Sequence, residues 1–358
     1  MKTLDRYIAS AFLKNLMLAT LGLTFLFYVQ SLIAELLEQD FPPSQLLIRS
    51  LLNLPQVIIQ MVPPASMMAT VMTLSSLNRS SELTACFSLG FGLRRIMGVM
   101  LAIVLLVSCL MLVLQDRIVP PFFKKRTNYY WRVMKNRPDF FLDVKQNKIW
   151  YRSKNLIYNL QSFDAKSQTI HGMGIYSFDE DFQLMQLVEA RKAIFTRNGW
   201  KLLEGNVTVF DDQSSFPLTQ PFKEKELIIG ETPQDFQEIE KEVDGLRLKE
   251  LYRYIERVQS TGTDTKSFQV KFHSRISLCF IPIVMCLLGV PFSIRNQREG
   301  GMARDLGLCL AVTFFYWLLY SIGLSLGTNG ALLPWLAAWL PSLIFTALAA
   351  TLLARQRA

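Results

Sequence analysis

The sequence predicts an α-helical membrane protein: six transmembrane helices in a three-plus-three layout, with an all-β, water-exposed domain between the halves. Three observations carry this. Six long apolar runs occur, Leu16–Leu37, Leu54–Leu77, Ile96–Gln115, Ile276–Ile294, Leu306–Leu326 and Ala331–Ala354. Each is close to the roughly 20 residues that a helix needs to cross the hydrocarbon core. Lysine and arginine cluster on one side of those runs. Between the third and fourth runs the texture changes to short segments rich in β-branched and aromatic residues.

Residues 1–115 form the N-terminal transmembrane half and 273–358 the C-terminal half. No charge interrupts Ile96–Gln115. A charge at mid-bilayer costs on the order of 3 kcal/mol on insertion scales, and a soluble amphipathic helix would carry a polar face. The first apolar run is too long for a secretory signal core and no small-x-small cleavage site closes it. It is expected to be retained. Met1–Ile8 reads as a short amphipathic lead-in lying along the membrane surface.

Orientation follows from the basic residues. With the N-terminus inside, the inner segments hold Lys2, Arg6, Arg79, Arg94, Arg95, Arg295, Arg298, Arg304, Arg355 and Arg357. The short outer loops, 38–53 and 327–330, hold only Arg49. This bias places both termini in the cytoplasm and residues 116–272 outside. That outer block has 25 basic and 22 acidic residues, so most of the net charge of +9 lies on the inner rim. Contact with anionic lipid accounts for it. No spacing or motif points to nucleic acid.

Cys86, Cys109, Cys279, Cys286 and Cys309 all fall outside 116–272. The outer domain therefore needs a packed core in place of disulfides. No cysteine or histidine spacing matches a metal site, and no cofactor motif is present.

After the third run comes Asp116–Trp131, basic and aromatic together. Tyr129, Tyr130 and Trp131 suit a membrane–water interface, with Lys124, Lys125 and Arg126 at headgroup level. Strands are expected at Lys148–Arg152, Asn155–Asn159, Gly174–Phe178, Ala193–Thr196, Trp200–Leu203 and Asn206–Phe210. Asn198-Gly199 is a hairpin turn because both residues tolerate positive φ. His171 sits beside Gly172 in a turn, and Asp179-Glu180-Asp181 and Asp211-Asp212 mark other turns. Strands at this spacing suggest a sandwich or an open roll. Leu246–Ile255 is a short amphipathic helix and Thr261–Ser267 a linker back to the membrane.

Two histidines, no G-x-S-x-G and no H-E-x-x-H argue against an enzyme. No glycine precedes a lysine, so no phosphate-cradling P-loop exists. Any uphill work must draw its energy from another subunit. Attention then turns to the loop Asn78–Arg95 between the second and third runs. Ser80 or Ser81 can cap a helix over about 79–90, Glu82 suits its first turn and Gly90 its end. Leu83, Phe87 and Leu89 give it a small apolar face. Such a helix either docks an ATPase or lies on lipid, and spacing alone leaves both readings open.

Arg79-Ser-Ser-Glu-Leu83 with Gly90 downstream is similar to the S-E-[IL]-x-x-x-x-x-x-G signature of the LptF/LptG permeases. Leu4-Asp-Arg-Tyr-Ile8, Val62-Pro-Pro-Ala65, Val290-Pro-Phe-Ser293 and Leu333–Ser342 also resemble that family. The opening motif and the proline-rich last span look more like the LptG branch. The resemblance implies a subunit of a lipopolysaccharide exporter in a Gram-negative inner membrane. A paralogous LptF-like permease would be its partner, enclosing a lipid-filled cavity with it. A cytoplasmic LptB-like ATPase dimer would drive it. Residues 116–272 would be a periplasmic β-jellyroll leading to LptC/LptA-like bridge proteins. Arg79, Ser81, Glu82, Leu83, Phe87 and Gly90 would form the coupling helix, and span one with the partner's span five a lateral gate. Lys124, Lys125 and Arg126 become candidate contacts for lipid phosphates. Family members carry lysines near the outer end of span one, where this chain has Ser31, Glu35, Glu38 and Asp40. The other reading is a membrane-anchored β-scaffold that relays lipid without energy coupling.

Prolines 63, 64, 282, 291, 334 and 341 are expected to kink the spans. Gly307, Ser321, Gly323, Ser325 and Gly327 along span five suit a close helix contact, a candidate partner interface.

Overall fold

A computed structural model describes residues 2–38, 41–136, 141–145, 148–153, 156–164, 168–179, 183–196, 199–210, 217–227, 244–260, 264–294 and 302–355. The helices are α1 (Lys2–Glu38), α2 (Pro43–Arg79), α3 (Glu82–Ser88), α4 (Leu93–Arg117), α5 (Val119–Tyr129), α6 (Leu248–Ser260), α7 (Lys266–Ile294), α8 (Met302–Thr328) and α9 (Pro334–Arg355). The chain divides into two compact units. Met1–Val119 with Lys266–Ala358 forms one, and Pro120–Thr265 the other.

Six helices of the described residues are long and apolar enough to cross a membrane. α1 and α2 have 37 residues each, about 55 Å at 1.5 Å per residue, well beyond a hydrocarbon core of about 30 Å. The lead-in is therefore not a separate surface helix. Its Ile8 is buried in one cluster with Phe12, Leu83 and Ile96, which holds the first turns in line with the rest of α1. Likewise α2 begins well before the apolar run, because Pro43 suits a first helical position, where no backbone donor is needed.

The helices meet through small and hydroxyl residues. Ser66 Oγ lies 2.6 Å from the carbonyl of Pro63 on its own helix and 3.0 Å from that of Pro282 on α7. Thr70 donates to the Ser66 carbonyl at 2.8 Å, and a Cβ on Gly289 would stand 2.9 Å from the Thr70 Cβ. The expected prolines 63, 64, 282, 291 and 341 do lie inside helices, whereas Pro334 opens α9. On α8, a Cβ at Gly323 would approach the Ala337 carbonyl to 2.7 Å, and one at Gly327 would come within 2.5 Å of the Ala337 Cβ and 2.9 Å of Val270. These two glycines thus serve packing within the chain, while Gly307 faces open space. Beside them Tyr316 shares a hydrogen bond with Ser342 at 2.8 Å, and Tyr320 donates to the Ser274 carbonyl at 3.1 Å.

The second unit holds one antiparallel sheet: β1 (Phe141–Lys145), β2 (Lys148–Ser153), β3 (Leu156–Asp164), β4 (Thr169–Phe178), β5 (Leu184–Thr196), β6 (Gly199–Val209) and β7 (Leu218–Leu227). Each strand pairs with its neighbours in sequence. All the described strands lie in that single sheet. Tyr158, Leu160, Ile170, Met173, Ile175, Val188, Ala190, Ala193, Trp200 and Leu202 form its core.

Period-two alternation breaks at the same level in three strands. Ile170, Ala193 and Leu202 form one cross-strand row, and Met173, Ala190 and Gly205 the next inward-facing one. Between the two rows each strand carries two residues, where strict alternation allows one. The skipped level contains Gly172 and Glu204, whose φ values are 60° and 50°. Because every strand has the extra residue at the same place, register is kept while the inward side is reset. The expected strands Trp200–Leu203 and Asn206–Phe210 are thus one strand bent at Glu204. His171 is likewise inside β4, paired with Lys192, and not in a turn. Gly205 is obligatory here: a Cβ would meet the Glu189 carbonyl oxygen at 2.1 Å. β6 begins at Gly199, opposite Thr196; Asn198 of the expected turn lies outside the described residues, as do Asp211 and Asp212. Trp131 packs against the sheet core. In α6 the buried side chains Leu251, Tyr254, Ile255 and Val258 recur at helical spacing, as its sequence predicts.

Candidate functional site

The segment between α2 and α4 contains the short helix α3. Its start is not capped as expected. Ser81 occupies the N-cap position with φ 60° and makes no side-chain cap bond. Ser80 instead turns back onto α2, its Oγ 3.1 Å from the Ser76 carbonyl. Glu82 opens the helix, where a carboxylate favours the positive end of the dipole. The far end closes as a Schellman motif: Gly90, with φ 80°, donates to the Phe87 carbonyl at 3.0 Å, and Phe91 N donates to the Cys86 carbonyl at 2.9 Å. Any residue with a Cβ would be strained at Gly90.

Of the three large apolar residues in and just after α3, one faces inward. Leu83 is 3% exposed and joins the cluster that includes Ile8, Leu77 and Ile96. Phe87 is 44% exposed and Leu89, just after the helix, 73%. Arg79 ends α2. The arrangement is a helix anchored by Leu83, with Glu82 at its tip and two apolar side chains left outside.

Two contacts tie α1 to this region, and neither was legible from spacing. Tyr7 Oη donates to Glu82 Oε1 at 3.4 Å. Arg95, at the start of α4, donates from Nε and Nη2 to the two carboxylate oxygens of Asp5 at 3.1 and 2.8 Å. Asp5 and Tyr7 stand in the Leu4-Asp-Arg-Tyr-Ile8 motif, the one signal that could have found them.

Lys124, Lys125 and Arg126 are consecutive on α5, so at 100° per residue they point in three directions. Lys125 lies 5.7 Å from the Phe122 ring and Arg126 5.3 Å from the Phe123 ring. A Cβ on Gly245 would lie 3.3 Å from Lys124 Cγ, so that stem runs against the turn before α6. On α1, Ser31 Oγ donates to the Tyr28 carbonyl at 2.9 Å, and Glu35 Oε2 is buried with no hydrogen-bond partner among the described residues.

A recess of about 210 Å³ lies on the β sheet, lined by Asn159, Gly174, Tyr176, Glu189, Arg191 and Glu204 among others. Arg191 pairs with Glu204 at 3.2 Å. Burial, together with the Glu189 charge, holds the Tyr176 phenol above its usual pKa. This polar lining does not suit an acyl chain. Among the described residues no group of three His, Cys, Asp or Glu could hold a metal ion.

Six apolar helices, with a β unit inserted after the third, define a multi-pass membrane protein. The model of the family described as lipopolysaccharide export system permease LptF/LptG matches residues 6–355, and the chain belongs to that family. It is similar over almost its whole length to lipopolysaccharide export system permease protein LptG of Haemophilus influenzae, at 25% identity over 378 residues and 99% of each chain. The protein of the same name from Escherichia coli K12 is 22% identical over 363 residues, 99% of this chain and 98% of that one. LptF of Escherichia coli K12 is 35% identical over 91 residues, a quarter of each chain. Full-length similarity therefore supports an LptG-like member, a transport subunit of the inner membrane.

Proposed function

We propose that this chain is the LptG-like half of a permease pair that lifts lipopolysaccharide out of the inner membrane. Its second half is an LptF-like paralogue, and a separate cytoplasmic ATPase docks on α3. The observation that carries the reading is the form of α3: anchored through Leu83, tipped by Glu82, and with Phe87 and Leu89 left outside. An apolar pair next to a carboxylate suits a groove with a basic rim better than it suits lipid headgroups alone. In this reading both termini are cytoplasmic and the β unit periplasmic, in keeping with Arg79, Arg94, Arg95 and Arg355 at one end of the spans.

Transferring a multi-acyl lipid into water at roughly 0.8 kcal/mol per CH₂ would cost tens of kcal/mol. The lipid must therefore pass along protein, and the β unit supplies the first surface of a periplasmic bridge. Strand addition at an open edge would extend it. β7 is blunted for that purpose by Pro221 and by the run Lys223-Glu-Lys-Glu226. That leaves β1 as the edge for LptC/LptA-like bridge proteins.

Glu82→Lys tests the reading. The chain should insert normally, while the ATPase recovered with it falls by an order of magnitude or more. Recovery at the wild-type level would overturn the docking role and favour a lipid-relaying scaffold without energy coupling. Orientation is tested by labelling a cysteine placed at Gly199 in intact cells, where a membrane-impermeant reagent should reach it from outside.

A further inference from the structure

A helix as short as α3 does not fix its own direction. Single turns or two are marginal without tertiary support, Ser81 provides no side-chain cap, and Leu83 is the one buried residue in it. A helix held at a single side chain can swivel about it. The contacts that remove this freedom come from the first turns of α1. Tyr7 reaches Glu82 at 3.4 Å. Asp5 takes a two-pronged grip from Arg95, beyond the Gly90–Gly92 turn that ends the α3 segment. The same guanidinium lies 5.1 Å from the ring of Phe91 within that turn. Between them Ile8 is buried in the cluster that receives Leu83 and Ile96. Three neighbouring positions of α1 thus hold the docking helix, its floor and the element that follows it.

We propose that Asp5, Tyr7 and Arg95 are positioning residues for energy coupling. They set the direction in which α3 presents Glu82, and they oblige α1 to move when α3 is pushed. The proposal rests on the reading of α3 as the docking helix. α1 is one continuous helix from Lys2 to Glu38, so a displacement at Asp5–Ile8 is carried along its axis into the bilayer. Without the two contacts, an ATPase bound to α3 could rock it about Leu83 while α1 stays where it is.

The test uses the complete complex in proteoliposomes and reads lipopolysaccharide extracted per ATP hydrolysed, normalised to the ATPase captured. Tyr7→Phe keeps the ring and removes only the hydroxyl. It should lower that ratio about threefold to tenfold, the span expected for one ordinary hydrogen bond. Asp5→Asn should act in the same direction, and the exchange Asp5→Arg with Arg95→Asp should recover most of the loss. Combined with Glu82→Ala, Tyr7→Phe should add nothing further, because either change alone already removes the one bond. A wild-type ratio for Tyr7→Phe, or a double variant equal to the plain product of the singles, would overturn the proposal. The outcome stays separable from the docking role. If Glu82→Lys loses the ATPase while Tyr7→Phe is silent, only the positioning role fails. If Glu82→Lys keeps the ATPase, the docking role itself fails.

Discussion

The membrane unit and the β unit solve the same problem, a packed interior with every backbone group satisfied, by opposite means. In the membrane unit backbone bonds close within each helix, so an apolar run suffices to specify each element. What brings helices together is not greasiness, because lipid tails are as apolar as leucine. The contacts are instead Ser66 and Thr70 against Pro282 and Gly289, Gly323 and Gly327 against Ala337, and Tyr316 against Ser342. In the β unit backbone bonds run between strands, and the organising force is burial of large side chains such as Tyr158 and Trp200 away from water. The same substitution chemistry should therefore have different consequences in the two units.

The largest effect is expected at Trp200. Trp200→Ala should destabilise the β unit by about 3–5 kcal/mol, the usual cost of emptying an aromatic site. Limited proteolysis of the full-length protein should show cleavage within 141–227 at a temperature where the six spans stay protected. Equal loss in both units would break the contrast. Gly205→Val comes next, at about 2–4 kcal/mol, because backbone and the Phe222 ring block its Cβ. Gly174→Ala is its control, with ordinary contacts from 3.6 Å and a cost below about 1 kcal/mol; both are read from denaturant unfolding of β-unit fluorescence.

In the membrane unit, Gly327→Leu should cost about 1–3 kcal/mol by overpacking against Ala337 and Val270. Gly307→Leu, facing open space, should stay within about 0.5 kcal/mol; thermal unfolding in mixed micelles separates the two. A loss at Gly307 matching that at Gly327 would mean that the close approach to α9 is not what makes Gly327 necessary. The smallest effect belongs to Tyr316→Phe, about 0.6 kcal/mol, typical of a hydroxyl contact between membrane helices.

The same contrast explains what could be read in advance. The six spans were legible because insertion cost acts residue by residue, and no neighbour can compensate for a missing apolar run. Strands were legible as fragments only. Trp200–Leu203 and Asn206–Phe210 looked separate because Glu204 and Gly205 break the alternation, and nothing local says that Gly172 breaks it at the same level of β4. At α3, Glu82 and the Gly90 stop could be inferred from helix electrostatics and left-handed backbone. The burial of Leu83 with Phe87 left outside could not, since all three apolar residues read alike along the chain. Small residues in span five pointed to a close contact, but not to Ala337 of the same chain as the other side.

Composition and pattern alone thus determined the membrane class, the number of spans, the β character of the middle and the stop of α3 at Gly90. Each of these follows from local free energies: transfer into lipid, turn conformation, the field at a helix end. Tertiary structure decided the rest, namely the bend shared by three strands, the glycines that must stay glycine, and the grip of Asp5 and Tyr7 on residues some 75 to 90 positions away. Those depend on which distant atoms come together, and closing a long loop leaves no mark on the residues it joins until the chain has folded.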